Sequence, residues 1–441
     1  MAAGDCGDAV AQGAEMKFTR TARVLLTELK YIRRGLTWPE FALFVSRRAG
    51  YRAWQRVSDP SAFKAKWQSM AAPSAAGRLN ERVSWPAGEP TSGVRVPECT
   101  INWVMPDFGT THGGHLNIFR FMQMIESQGY RCRVYIDGNT QFASAARARA
   151  AIRKHFGPVE AEVFLGSTEM APAEFTFATT WWSAYAVRRF ADTRHKCYFV
   201  QDFEPAFFPA GSEYIFAENT YRFGFTAITA GTWLSEKLHH EYGARTFPLG
   251  FSYDKRLYSG SVALPKVGKP IRIFFYARPT TPRRGFDVGV LVLAEVARRH
   301  PDVEIVMAGW DLSAYDIPFK HNDLGALSHS ALPALFESCD IGLVLSYSNL
   351  SLLPLELMAC GCAVVSNRGP NVEWLLSEAN SVLVDSDIDA LAGAICGLIE
   401  DSAARAAQQR AGLEFAAGTD WRAEGARFHA ALEQIRAAGK A

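Results

Sequence analysis

One pattern recurs along this chain and limits its folds more than any other. A short, mostly apolar run ends in a turn rich in glycine or proline, and an amphipathic helical stretch follows. Thr100-Ile101-Asn102-Trp103-Val104-Met105 stops at Pro106, and a loop with Gly109, Gly113 and Gly114 comes next. Leu116, Ile118, Phe119, Phe121, Met122 and Ile125 then keep helical spacing up to Gly129, and a second apolar run covers 130–136. Short buried runs joined by a helix are parallel strands with a crossover. The grammar restarts downstream, with strands expected at 271–277, 303–308, 341–345 and 363–366 and helices at 288–298, 331–338 and 353–360. Two such assemblies, parted near residues 250–270, predict an α/β chain of two Rossmann-like domains facing across a cleft. Ligands of such sheets gather at the carboxyl ends of the strands, where helix N-termini also point.

A chain of 441 residues has room for both domains and more. Its 48% hydrophobic and 21% charged residues exclude a disordered or collagen-like chain. The net charge of +2 gives no reason to expect a nucleic-acid partner. No signal-like start and no apolar run of ~18–20 residues is present, so a cytoplasmic location is expected. The eight cysteines lack the paired spacing of a zinc site or a disulfide scaffold, so reduced, mostly buried thiols are expected, Cys360 and Cys362 among them. Asp385-Ser386-Asp387 precedes an Ala-rich helix over 388–398 and reads as its start rather than as a metal site.

The expected boundaries are a helical extension and linker over 1–97, an N-terminal Rossmann-like domain over 98–262, a C-terminal one over 263–418 and a final helix over 419–441. Within the extension, residues 17–56 carry Arg20, Arg23, Lys30, Arg33, Arg34, Arg47, Arg48, Arg52 and Arg56 against only Glu28 and Glu40. Two readings stand: a helical extension docked on the main body, or a basic amphipathic helix lying peripherally on an anionic membrane, on its inner face.

The densest local signal runs from Ser346 to Gly361. A loop containing Ser348, Asn349, Leu350, Ser351 and Leu352 follows an apolar run and feeds a helix, with Pro354 in its first turn and Gly361 past its end. Such a helix start is an anion site, and Glu356 is placed either to accept hydrogen bonds from ligand hydroxyls or simply to complement the helix dipole. Arg278, Arg283 and Arg284 crowd the turn after the 271–277 strand, where cations would stabilise a leaving diphosphate or lie solvated. Gln201, Asp202 and Glu204 end another strand beside Phe207 and Phe208; they suit sugar hydroxyls, or loop capping.

The block around Glu356 resembles the donor-binding signature of family 4 glycosyltransferases, which have the GT-B fold. There a Glu, seven residues and a second Glu precede a Met-Ala-Cys-Gly helix end. The second, which holds the nucleotide ribose, corresponds to Glu356, whereas the first, which contacts the donor sugar, corresponds to Ser348. The resemblance implies that Arg278 and Arg284 act on the diphosphate, with Arg283 competing for the second role, because Arg replaces the family's Lys and the spacing is one residue longer. It places Gly309 under the donor, and Gly113, Gly114 and His115, with Asp107, Gln201, Asp202 and Glu204, near the acceptor; a cap or packing role for His115 stays open. Residues 201–204 and the Asp107 loop resemble bacterial rhamnosyltransferases that elongate rhamnan chains from dTDP-rhamnose.

What the resemblance implies is a retaining glycosyltransferase that needs neither metal nor other cofactor. It would move a sugar from a nucleotide diphosphate, dTDP-linked by preference, to a glycan or lipid-linked glycan acceptor. Two alternatives remain from the residues alone. One is a non-catalytic glycan- or partner-binding module on a decayed transferase, which Ser348 admits; the other is a sugar-nucleotide epimerase or hydrolase using the same cleft. An NAD-type oxidoreductase fits less well, because Gly109–Gly114 lacks GxGxxG spacing.

Overall fold

In the computed structural model, residues 87–109, 113–258 and 270–439 are described. The expected helix within 17–56 and the linker up to residue 86 lie outside the described residues. The first apolar run is β1 (Thr100–Met105), buried along its whole length. It pairs in parallel with β2 (Arg131–Ile136) on one side and β4 (Ala173–Ala178) on the other, so that Trp103 stands opposite both Val134 and Phe177. With β3 (Glu162–Leu165), β5 (Thr193–Val200), β6 (Thr226–Ala230) and β7 (Thr246–Leu249), they form a parallel sheet in the order β3-β2-β1-β4-β5-β6-β7. Pro248 falls in β7, an edge strand, where the missing N–H does least harm.

The second sheet repeats the plan. Strands β8 (Arg272–Tyr276), β9 (Glu304–Ala308), β10 (Asn322–Asp323), β11 (Ile341–Val344), β12 (Ala363–Asn367) and β13 (Val382–Val384) run in the order β10-β9-β8-β11-β12-β13. In both sheets the order reverses beside the first strand, so the switch points fall at the ends of β1 and β8, where a doubly wound fold gathers its ligand.

Helices connect the strands. In the first half these are α1 (Gly113–Glu126), α2 (Ala145–Phe156), α3 (Trp181–Arg189), α4 (Ser212–Thr220) and α5 (Thr232–Tyr242). In the second they are α6 (Phe286–Arg299), α7 (Leu332–Glu337), α8 (Leu353–Ala359), α9 (Pro370–Glu373), α10 (Ile388–Glu400), α11 (Ser402–Gly418) and α12 (Trp421–Ala438). Local chemistry sets their starts. A Thr180–Ser183 capping box opens α3, and the carboxylate of Asp387 accepts from Ala390 N to open α10. The helix expected over 331–338 begins instead as a 3-10 turn, His329–Ala331.

The described residues other than 312–316 belong to one compact unit. Its last helix, α12, packs on the first sheet. Phe428 lies 6.0 Å from Trp103 and 5.9 Å from Phe177, which stack on each other at 4.9 Å. Arg436 pairs with the fully buried Glu174 at 2.6 Å, and Glu424 accepts from Gly250 N at 2.6 Å. Burying one such aromatic ring contributes about 1.5–3 kcal/mol. Cys132, Cys197, Cys339, Cys360, Cys362 and Cys396 are buried and unbridged, while Cys99 is exposed. Among the described residues, no helix is long and apolar enough to cross a membrane.

Candidate functional site

The carboxyl ends of β8 and β11 build one wall. After β8 the chain passes Arg278 and closes a 3-10 turn, Pro282–Arg284, on Gly285 at φ 62°. A side chain there would come within 2.9 Å of the Tyr347 ring. Tyr347 N donates to Arg283 O at 2.8 Å, which ties the arginine turn to the loop after β11. Arg284 reaches further into that loop, donating to Ser346 Oγ at 2.6 Å and to Asn349 O at 2.9 Å. Arg283 lies 3.8 Å over the Phe207 ring. Arg278 has no carboxylate within ion-pair distance among the described residues; its neighbours are the Tyr276 hydroxyl at 3.3 Å and the rings of Tyr276 and Trp310. Burial and the mutual repulsion of these cations lower the pKa of Arg283 and Arg284, and Asp202 opposes that shift.

Asp202, past the end of β5, closes the wall from the other sheet. Its Oδ1 accepts from Phe203 N at 2.8 Å and from Asn349 N at 2.7 Å, and its Oδ2 accepts from Ser348 Oγ at 3.0 Å. The same Oδ2 is 3.5 Å from Arg283 Nε and 3.8 Å from an Arg284 nitrogen. Asn349, fully buried, completes the junction. Its amide donates to Gln201 O and Ala230 O at the ends of β5 and β6, and its oxygen accepts from Trp374 Nε1 at 2.8 Å.

Glu356 stands half-buried in the first turn of α8. Burial raises its pKa to about 7, helped by Asp254 and opposed by Arg120 and the Tyr258 hydroxyl. Arg120 comes from α1 of the first domain. It donates to Asn117 Oδ1 at 2.9 Å and lies 4.3 Å over the Trp421 ring, and burial lowers its pKa to about 10. Helices of the two domains thus bring a carboxylate and a guanidinium within electrostatic reach of each other. Such a pair suits a ligand with both hydroxyl and phosphate groups.

Residues 271–396 match the family model of the WsaF C-terminal domain, and residues 161–230 match that of the WsaF N-terminal domain. Over 340 residues the chain is 34% identical to the O-antigen biosynthesis protein RfbC of Myxococcus xanthus, a match covering 74% of this chain and 26% of that protein. A GDP-mannose-dependent alpha-(1-6)-phosphatidylinositol monomannoside mannosyltransferase of Mycolicibacterium smegmatis is 31% identical over 180 residues, 36% of this chain and 47% of that one. The chain therefore spans between a quarter and a half of the length of these curated relatives. Among solved structures, the sucrose-phosphate synthase of Thermosynechococcus elongatus superimposes with a TM-score of 0.56 at 14% identity, covering 77% of this chain and 100% of that one. Anabaena Alr3699/HepE in complex with UDP-glucose does so with 0.57 at 19%, covering 76% and 99%. The fold is GT-B.

On this GT-B scaffold several expected ligand contacts are already engaged within the protein. Ser348, expected to face the donor, gives its hydroxyl to Asp202, and the Asn349 amide is fully used in the junction. Asp202 is accordingly a tie between the domains, because its oxygens face the opposite loop. Glu204, also expected at the acceptor, is buried and accepts from Trp181 N at 2.6 Å, where it caps α3. Asp107 accepts from Thr140 Oγ1 at 2.9 Å and from Gln141 N at 3.0 Å, holding the loop after β2. Leu350 and Leu352 are buried, and the Ser351 hydroxyl accepts from Leu353 N at 3.4 Å. Gly309, at φ 120°, lies against the Tyr276 ring and donates its N–H to Gly325 O. The glycine-loop expectation brings neighbours together. Gly113 starts α1, a Cβ on Gly114 would lie 3.4 Å from the Gln201 amide, and His115 stands 6.2 Å from Phe108. Arg120, Tyr258 and Trp374 are missing from the sequence-derived set. Only Arg120 leaves a trace there, as the single charged residue between Gly113 and Met124.

Proposed function

We propose that this chain is a glycosyltransferase that moves a sugar from a nucleoside diphosphate to a glycan or lipid-linked glycan acceptor. One observation carries the reading: Arg278, Arg283 and Arg284 crowd the strand ends beside the loop that leads to Glu356, and among the described residues Asp202 is the one carboxylate within ion-pair distance of any of them. That excess positive charge suits a diphosphate leaving group, and the Glu356 carboxylate suits ribose or deoxyribose hydroxyls. Arg278 is the group to stabilise the departing diphosphate, with Arg284 and Arg283 supporting it; Glu356 holds the nucleoside.

The names of RfbC and the mannosyltransferase, and the sugar nucleotide bound by HepE, support the class of reaction. The finer reading, within family 4, is rhamnose from dTDP-rhamnose, transferred with retention and without metal. The internal engagement of Asp107, Asp202 and Glu204 supports retention, because a front-face mechanism lets the diphosphate take the acceptor proton and asks no base of them. A non-catalytic module on the same fold is the second reading. It is favoured by the internal engagement of Ser348 and Asn349.

Calorimetric titration with dTDP, UDP, GDP and NAD, each with and without EDTA, tests the proposal. The expected result is binding of one diphosphate that EDTA leaves unchanged and that weakens more than tenfold in Arg278→Ala and Glu356→Ala. No binding of any diphosphate would overturn it, and binding without transfer to any acceptor would favour the module.

A further inference from the structure

We propose that Asp202 is a built-in counter-anion for the phosphate-binding arginines, competing with an incoming diphosphate for Arg283 and Arg284 and thereby setting its affinity. The inference rests on the diphosphate site proposed above. Its basis is geometric. The short bonds of Asp202 go to Phe203 N, Asn349 N and Ser348 Oγ, at 2.7–3.0 Å. Its distances to Arg283 and Arg284, 3.5 and 3.8 Å, are longer than a charge-assisted hydrogen bond of about 2.7–2.9 Å. The loop after β11 therefore fixes the carboxylate, which faces the two guanidinium groups without being clamped by them. A phosphate that reaches these arginines while Asp202 stays in place meets a like charge. Asp202 also spans the two domains, so the same side chain that tunes the anion site holds the domains in register. It is a positioning residue.

Asp202→Asn separates the two roles. An asparagine keeps an oxygen for the N–H groups of Phe203 and Asn349. Its amide can donate to Ser348 Oγ, because a hydroxyl accepts as readily as it donates. The tie survives and the charge goes. Inorganic pyrophosphate is titrated calorimetrically into the full chain, Asp202→Asn and Asp202→Ala at low and high salt, with thermal unfolding of each.

Asp202→Asn is expected to bind pyrophosphate about tenfold more tightly than the parent at low salt, with the gap narrowing at high salt and the Tm close to that of the parent. A purely structural role would leave affinity unchanged or weaken it, so the direction of change decides. Equal or weaker binding by Asp202→Asn, beside a parent that binds, overturns the proposal and leaves the arginine site standing. The same holds if only Asp202→Ala changes, through loss of the tie. Binding by Asp202→Asn alone supports the proposal. Failure of every variant to bind pyrophosphate or any nucleoside diphosphate overturns it together with the reading it rests on.

Discussion

Asp202 and Glu204 are two residues apart, yet their surroundings set them to different work. Asp202 faces two cations, Arg283 and Arg284. Glu204 is buried against the start of α3, where burial pushes its pKa up to about 8 and the Trp181 N–H and Arg283 only partly offset this. Its carboxyl is therefore neutral at pH 7 in the folded chain and ionised in the unfolded one. The stability this group contributes is complete below about pH 4.5 and is lost as pH rises through about 8, a change of a few kcal/mol. Glu204→Gln cannot ionise, so its Tm is expected to fall less than the parent's between pH 6 and pH 9. Parallel Tm curves for the two proteins would contradict this. The sequence marks both residues as polar groups at a strand end, and that much is visible locally. Their partners are not: Asp202 meets Asn349, 147 residues away, and no spacing or periodicity encodes such a meeting.

Secondary-structure elements were easier to read where burial dictates them. The apolar runs at β1, β2, β8, β9, β11 and β12 lie within a residue or two of their expected limits, because a strand buried on both faces admits little else. The short, polar β10 carries no such pattern, and it forms only because β9 offers a free edge. Side chains on short elements also escape a reading by pattern. Trp374, just past α9, fills the space over Gly231 at the head of α5 and donates to Asn349. Gly231 has φ 91°, and a Cβ there would lie 2.6 Å from the indole. Gly231→Ala is expected to cost about 3 kcal/mol or more in chemical denaturation, since backbone strain adds to overpacking. Gly243→Ala, at φ 67° with open space around it, is expected to cost only about 1–2 kcal/mol. Equal losses in the two variants would show that the indole contact contributes nothing.

For the whole molecule, the plan of two Rossmann-like domains follows from the repeated strand–loop–helix grammar, as does the placing of Glu356 and the arginine turn at the strand ends, whereas GT-B was what the family resemblance implied. How the two halves engage does not follow from that grammar, because it depends on the junction of Asp202, Asn349 and Trp374. The basic stretch over 17–56 poses its own question at this scale. If it anchors the protein, the full chain sediments with phosphatidylglycerol vesicles at low salt and a chain beginning at Val96 stays in the supernatant. Equal partition of the two would eliminate the anchor.

The position of α12 also has a consequence for synthesis. Phe428 completes the apolar cluster around Trp103, Phe121 and Phe177, although it lies far beyond them in the chain. At ~5–20 residues per second, a ribosome that has just released Leu249 needs on the order of ten to forty seconds to deliver Ala438. Throughout that interval the nascent first domain presents an uncovered aromatic face, so its folding is finished only once α12 has been translated.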